Sequence, residues 1–346
     1  MQIYKKIKFV DIAKKAGVSN AAVSRYVNGS GYVSEEKKKM IQKAMDELEY
    51  TISEKKEMKQ NKIFAIVLPP GGKTMIGPSY LSCFSDLAKS CGYKVIPEIY
   101  NLLDNSLVDV LETISKCHIN GIFIPFMPMR VLDRKTVDYI KNSEIPIVII
   151  SEFSNMIYPE ITSIVPDLRS VGKIAVEKLY EKGCRKIAFI STNVKKNKSA
   201  YLQLQGFMDA VCELDILEHN YVIAEGDIYQ ENNFTIAGYR AAEKAFAAMP
   251  DIDGILGWTG SFTAGIMQYI YQLGLRIPDQ IKIIGTDDDA ADLLSPPLTT
   301  VNISVHRRCL EALELLLRAQ DEEEWKHKKQ VYIAPYLYYR GTFVDS

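Results

Sequence analysis

From residue 63 onward, short apolar runs alternate with longer helical patterns, and this alternation constrains the fold more than any other feature. The first four runs are IFAIVLP (63–69), YKVIPEI (93–99), GIFIPF (121–126) and IPIVIIS (145–151). Helical patterns at 80–91, 106–117 and 132–142 lie between them. Continuous apolar strands joined by helices are typical of right-handed βαβ units on a buried parallel sheet.

The pattern restarts after residues 159–167. Its second set of strands is KIAFIST (186–192), YVIAEG (221–226), DGILGW (253–258) and QIKIIGT (280–286). We therefore predict an α/β core of two lobes, with lobe 1 at 63–152 plus 290–319 and lobe 2 at 155–287 plus 322–343. Open α/β sheets bind ligands at the carboxyl ends of their strands, so a ligand cleft between the lobes is expected.

Residues 9–34 precede this core and predict a helix, a glycine turn and a second helix. Gly17 suits the left-handed end of the first helix, and Ser19 is a good N-cap for the second. On the second helix Val23 and Val27 fall on one face, while Ala21 and Arg25 fall on the opposite one. This small, polar and basic face suits a DNA major groove.

The net charge also differs between the head and the α/β core. Residues 1–62 hold thirteen lysines and one arginine against eight acidic residues, a net charge of +6 in a chain whose total is −1. A basic head on an acidic body indicates a polyanionic partner for the head.

The sequence resembles the lactose/galactose repressor (LacI/GalR) family. In the head the resemblance rests on VDIAKKAGVSNAAVSRYVNG and YVSEEKKKMIQKAMDELEY. In the core it rests on GCRKIAFI, LQGFMDAV, LGLRIPDQIKIIGTDDD and YYRGTF. It implies a helix-turn-helix domain at 1–50, a linker at 51–62 and a periplasmic-binding-protein-like effector and dimerisation core with parallel sheets at 63–346.

The resemblance also implies which head residues contact DNA. These are Asn20, Ala21, Ser24, Arg25, Asn28 and Tyr32. Arg25 is the best base reader because its guanidinium matches guanine O6 and N7. The alternatives are a solvated Ser24 and a Tyr32 packed under the third helix. Met58 is the apolar candidate for a minor-groove wedge, and a flexible tether is the alternative.

The effector positions implied by the resemblance lie at the predicted cleft. They are Tyr80, Glu152, Phe153, Gln203, Tyr229, Trp258, Ser261 and Asp287. Gln203 and Ser261 depart from the arginine and the aspartate or asparagine that are usual in the family. Loss of the arginine disfavours an anionic effector and leaves a neutral sugar. A helix-capping role for Asp287 and a core role for Trp258 stay open.

We expect no metal, cofactor or catalytic site, because the histidines are dispersed and Ser261 lacks a G-x-S-x-G context. Without a signal peptide or a transmembrane run, a cytoplasmic location is expected. The predicted function is a sugar-controlled transcriptional repressor that binds a palindromic operator as a homodimer. The alternatives are a sensory module whose head docks protein and a sugar-processing α/β enzyme.

Overall fold

The computed structural model describes residues 9–28, 32–48, 62–68, 76–100, 106–125, 133–150, 159–286, 290–320 and 328–343. The predicted linker beyond Tyr50 falls outside these ranges up to residue 61. No helix in the described part of the chain combines the length and apolar character needed to cross a membrane.

Three helices form the head: α1 (Phe9–Ala16), α2 (Asn20–Asn28) and α3 (Glu35–Glu47). Gly17 ends α1 with a φ of +64°, which glycine adopts without steric cost. The Ser19 hydroxyl accepts a hydrogen bond of 3.2 Å from the N–H of Ala22, which confirms the predicted N-cap. Ile12, Val23 and Ile41 are completely buried between the helices, so the head has an apolar core of its own.

Lobe 1 contains a six-stranded parallel sheet in the order β11-β5-β4-β3-β1-β2. Its strands are β1 (Ile63–Leu68), β2 (Lys94–Ile99), β3 (Gly121–Ile124), β4 (Ile147–Ile150), β5 (Ser163–Pro166) and β11 (Gln330–Ile333). Its helices are α4 (Ile76–Ser90), α5 (Leu107–Ser115), α6 (Arg134–Asn142) and α12 (Val305–Arg318). Apolar side chains on both faces of the sheet are buried under these helices, as a parallel sheet requires.

Lobe 2 repeats the arrangement in the order β12-β10-β9-β8-β6-β7, with only β12 antiparallel to its neighbour. Its strands are β6 (Ile187–Thr192), β7 (Tyr221–Gly226), β8 (Gly254–Gly257), β9 (Lys282–Gly285), β10 (Thr299–Asn302) and β12 (Tyr336–Tyr338). Its helices are α7 (Leu168–Glu181), α8 (Lys198–Glu213), α9 (Ile228–Glu231), α10 (Phe234–Ala248) and α11 (Gly260–Gln272). Short 3-10 helices cover Glu218–Asn220 and Ala291–Leu293.

The lobe boundaries differ from the prediction. Strand β5 belongs to lobe 1, so the chain first crosses to lobe 2 at residue 167 and not near 152–155. Strand β10 pairs with β9 in lobe 2 and β11 pairs with β5 in lobe 1, whereas the prediction puts 290–319 in lobe 1 and 322–343 in lobe 2. The reason is hydrogen-bond pairing: isolated strands near the crossovers have no sequence signal that specifies which sheet they join.

Candidate functional site

The outer face of α2 is the first candidate site. Asn20, Ala21 and Arg25 are exposed, and Ser24 is partly buried. Val23 and Val27 lie on the opposite face, with 0% and 3% of their surfaces exposed. The helix therefore presents the small, polar and basic face that its spacing predicted, over a closed apolar core.

Helix α3 holds α2 in place through a polar contact as well. Tyr26 on α2 donates a hydrogen bond of 2.8 Å from its hydroxyl to Oε1 of Gln42. Nε2 of Gln42 in turn donates to Asp46 at 2.8 Å. This chain of contacts fixes the rotation of α2, and with it the direction in which Arg25 projects.

Tyr32 has 89% of its surface exposed, whereas Val33 beside it is buried. The structure therefore contradicts the alternative in which Tyr32 packs under the third helix and leaves its hydroxyl accessible to a ligand. Met58 and the side chain of Asn28 lie outside the described residues.

The second candidate site lies at the carboxyl end of β6 in lobe 2. Ser191 and Thr192 end this strand and are completely buried. Gln203 is also buried, with 2% of its surface exposed, on helix α8, which packs against β6. The Ser191 and Thr192 hydroxyls and Oε1 of Gln203 have no hydrogen-bond partner among the residues that the structure describes.

An unpaired buried polar atom costs about 1–3 kcal/mol of stability, so such atoms are usually satisfied by water or by a ligand. Two such hydroxyls at the end of β6, and an unpaired amide oxygen on the helix that packs against this strand, are candidate partners for a molecule rich in hydrogen-bonding groups. All three side chains are uncharged, which favours an uncharged molecule.

A charged cluster follows the neighbouring strand β7. Asp227 caps α9 by accepting from the N–H groups of Tyr229 and Gln230 at 3.0 and 3.1 Å. It also pairs with Lys196 at 2.7 Å, and the hydrogen bond from that ammonium lowers the pKa of the Asp227 carboxyl. The Lys196 ammonium lies 5.9 Å from the centre of the Tyr229 ring. Tyr229 remains 55% exposed, so a ligand can stack against it.

Two predicted aromatic contacts are buried. Tyr80 is completely buried in lobe 1, where its hydroxyl accepts a hydrogen bond of 2.8 Å from Arg308. Its hydroxyl is bonded to Arg308 and its ring packs against Phe123 in the core of lobe 1, which contradicts the predicted effector contact of Tyr80. Trp258 is 7% exposed and stacks on Phe234 at 5.7 Å, which favours its core role.

Of the remaining predicted positions, the structure describes only Ser261. Ser261 lies partly buried in the first turn of α11, and its carbonyl accepts a hydrogen bond from Thr235. Glu152, Phe153 and Asp287 lie outside the described residues. Sequence reasoning missed Ser191 and Thr192, although hydroxyl side chains at the end of an otherwise apolar strand were a usable signal.

Comparison with known proteins identifies both parts of the chain. Residues 8–53 match the bacterial regulatory proteins of the lacI family, and residues 176–343 match a periplasmic binding protein-like domain. The chain is 28% identical over 337 residues to the HTH-type transcriptional repressor PurR of Vibrio vulnificus, covering 96% of this chain and 97% of that protein. The chain is thus similar to LacI-family repressors in its head and along almost its whole length.

Solved structures show the same fold along almost the whole length of this chain. A lac repressor dimer bound to operator and the anti-inducer ONPF has a TM-score of 0.65 at 21% identity and covers 99% of this chain and 100% of its own. The transcriptional regulator CelR in complex with cellobiose has a TM-score of 0.65 at 19% identity, with coverage of 97% and 100%. The helix-turn-helix head and the two-lobed α/β core therefore share the fold of these two proteins.

Proposed function

We propose that this protein is a transcriptional repressor whose affinity for a palindromic operator is controlled by a neutral sugar bound in lobe 2 and the cleft beside it. The observation that carries the proposal is the exposed face of α2, which presents Asn20, Ala21 and Arg25 over a closed core. A face with a guanidinium and an amide among small side chains matches the edges of bases in a major groove.

The relatives support the same assignment. PurR of Vibrio vulnificus is named as a repressor and not as an enzyme. The similar lac repressor structure is a dimer on operator DNA. A dimer of this chain would present two α2 helices to half-sites about one helical turn, ~34 Å, apart or a multiple of it.

The effector class follows from the buried polar atoms of lobe 2. A sugar carries many hydroxyl groups that donate to Oε1 of Gln203 and exchange hydrogen bonds with Ser191 and Thr192. The family's arginine would add a fixed positive charge at the position of Gln203, and its replacement by an amide removes the partner of an anionic ligand. The similar CelR structure contains cellobiose, which is a neutral sugar.

The three crossovers between the lobes support a mechanism in which the relative position of the lobes controls DNA binding. The chain crosses between the lobes after β5, after β10 and after β11. A sugar that contacts both lobes favours one relative position of the lobes, and the equilibrium shifts by the difference in its affinity for the two positions. Residues 49–61 join lobe 1 to the head, so the change reaches the DNA through this segment.

Selection of bound DNA from a random pool tests the DNA assignment directly. We expect a palindrome with fixed bases in each half-site, and binding that weakens steeply with salt because phosphate contacts release counterions. Enrichment of no sequence, with retention of sugar binding, would contradict the DNA-binding assignment.

Thermal unfolding with matched pairs of neutral sugars and their uronic acids or phosphate esters tests the effector class. A ligand that binds only the folded protein stabilises it by about 2.7 kcal/mol at a concentration one hundred times its Kd. We expect stabilisation by a neutral sugar and none by its anionic counterpart. Stabilisation by the anionic member alone would contradict a neutral effector.

A further inference from the structure

A cavity lies at the edge of the molecule where the chain passes between the lobes. It has a volume of about 610 Å³ and is lined by residues from the start of α12 and from β11 and β12. Strands β11 and β12 are each the last strand of their sheet on this side, and Ala334 between them is part of the lining. A cavity of this size accommodates a small organic molecule.

This cavity is separate from the candidate effector site at the end of β6. In the sheet of lobe 2, strands β10, β9 and β8 lie between β12 and β6. Four strand spacings correspond to roughly 19 Å. Ser191, Thr192 and Gln203 do not line the cavity. A molecule bound in the cavity therefore leaves the candidate effector site open.

Tyrosine rings form the aromatic part of the cavity. Tyr332 on β11 is 62% exposed, and Tyr336 and Tyr338 on β12 are 36% and 38% exposed. The ring centres of Tyr336 and Tyr338 are 4.2 Å apart, and the Tyr338 hydroxyl donates a hydrogen bond to that of Tyr336. The Arg340 guanidinium lies 5.5 Å from the centre of the Tyr338 ring. Because these contacts hold both rings of β12 in place, a flat ligand ring can pack against them at little cost in side-chain entropy.

The start of α12 supplies the positive charge of the cavity. His306 and Arg307 line it, and no acidic side chain does so among the residues that the structure describes. The Arg307 side chain is 55% exposed, and its Nη2 atom pairs with Glu311 at 2.5 Å. A guanidinium has further N–H donors, so this pair leaves some of them for a ligand carboxylate. The cavity thus combines aromatic walls with a group that binds anions.

We propose that this cavity binds an aromatic carboxylate, with its ring against the tyrosines and its carboxylate on Arg307. The uncharged polar atoms of the candidate effector site favour a different kind of molecule, so the aromatic carboxylate is a second ligand. Its binding is independent of the proposed function, because it requires neither DNA nor a sugar.

The lining of the cavity comes from both lobes. Arg307 and Tyr332 belong to lobe 1, whereas Tyr336 and Tyr338 belong to lobe 2. A change in the relative position of the lobes therefore changes the distance between the guanidinium and the rings of β12. A ligand that contacts both lobes favours one of these positions. This consequence, unlike the binding itself, rests on the proposed function.

Ligand-observed NMR titration of the full-length protein tests the cavity with benzoate, benzamide and cyclohexanecarboxylate, which are similar in size. We expect saturable binding of benzoate. Benzamide has no charge and should bind about tenfold more weakly. Cyclohexanecarboxylate has no flat ring and should bind about two- to tenfold more weakly. Benzamide binding as tight as that of benzoate would overturn the proposal.

Variants of the lining show whether benzoate occupies this cavity. Arg307→Gln should weaken benzoate binding about tenfold, because the charged partner of the carboxylate is lost. Tyr332→Leu keeps an apolar side chain and removes the aromatic face, so we expect a loss of about two- to tenfold. Benzoate binding that is unchanged in both variants would place the ligand elsewhere and overturn the proposal, and so would the absence of saturable binding to the wild type.

Each variant has a matched control outside the cavity. Arg318 lies near the end of the same helix, is 60% exposed and pairs with Glu314 one turn away, as Arg307 does with Glu311. Tyr339 is 55% exposed and packs against Phe343. Arg318→Gln and Tyr339→Leu should bind benzoate as the wild type does. A loss in Arg318→Gln equal to that in Arg307→Gln would contradict a contact between the carboxylate and Arg307.

Discussion

At the scale of single residues, Arg25 contributes most to the DNA-binding assignment. It is exposed on α2, and its helix is fixed by the contact from Tyr26 to Gln42. We expect Arg25→Ala to cost about 1–3 kcal/mol of operator binding and to relax base preference at one position of each half-site. Gel-shift titrations on operators with each base at that position measure both effects.

A matched control for Arg25→Ala removes one positive charge from the surface of lobe 1. Lys141 is exposed in the last turn of α6, so Lys141→Ala changes net charge equally without touching α2. We expect its operator affinity to stay close to that of the wild type. Equal losses for both variants would mean that Arg25 acts only through overall charge.

Cys184 gives a prediction on pH dependence. It is buried in lobe 2, and burial raises the pKa of its thiol to about 12. The thiol therefore stays protonated at pH 8 to 9, and its burial also shields it from iodoacetamide. Mass spectrometry after alkylation at pH 8 to 9 should show labelled Cys91, Cys117 and Cys212, which are exposed, and unlabelled Cys184. Labelling of Cys184 in the folded protein at pH 8 would contradict this prediction.

At the scale of elements, helices α7 and α8 of lobe 2 approach each other closely through glycines. A Cβ on Gly206 of α8 would lie 1.8 Å from the carbonyl oxygen of Arg169 on α7. A Cβ on Gly172 of α7 would lie 1.9 Å from the carbonyl oxygen of Gln203. The two glycines thus allow the backbones of α7 and α8 to touch near the buried side chain of Gln203.

Gly206→Ala should therefore lower the free energy of unfolding by about 1–3 kcal/mol, because the added methyl group forces the helices apart. Gly77→Ala in α4 is the control, since a Cβ there has no atom within 4 Å. We expect this variant to be neutral or up to about 1 kcal/mol more stable, in line with the higher helix propensity of alanine. Denaturant titrations of both variants compare the two effects, and a stable Gly206→Ala variant would show that the helices can separate without cost.

Elements with a strong local pattern could be predicted from the sequence. The glycine turn, the Ser19 cap and the predicted helices at 106–117 and 132–142 lie where the local sequence pattern placed them, and the helix ends agree within two residues. Strands β5 and β12 could not be predicted in this way. They are four and three residues long, and their place is set by pairing with distant strands.

The candidate site was less predictable than the fold. Tyr80 was assigned to the cleft from its place near a helix start, but its side chain packs inward against Phe123 and bonds to Arg308 from the other end of the chain. A contact across more than two hundred residues has no local signal. Gln203, by contrast, lies in a motif with fixed spacing to Gly206, and the structure buries its side chain on α8, the helix that packs against β6.

At the scale of the whole molecule, the head and the two lobes have separate apolar cores. A chain that starts at residue 62 should therefore keep the sugar-dependent rise in unfolding temperature and lose operator binding. Thermal unfolding and gel shifts on the same preparation measure both properties. If DNA binding survived the deletion, the basic face of α2 would not be the DNA-binding surface.

The order of the strands also has a consequence for synthesis on the ribosome. The head is complete once residue 48 has emerged, whereas lobe 1 lacks β11 until residue 333 and lobe 2 lacks β12 until residue 338. Domains generally fold in the order in which they are translated. In a nascent chain the helix-turn-helix domain is thus complete long before the two-lobed core. We expect a chain truncated before β11 to keep the folded head and to lose the response to the effector.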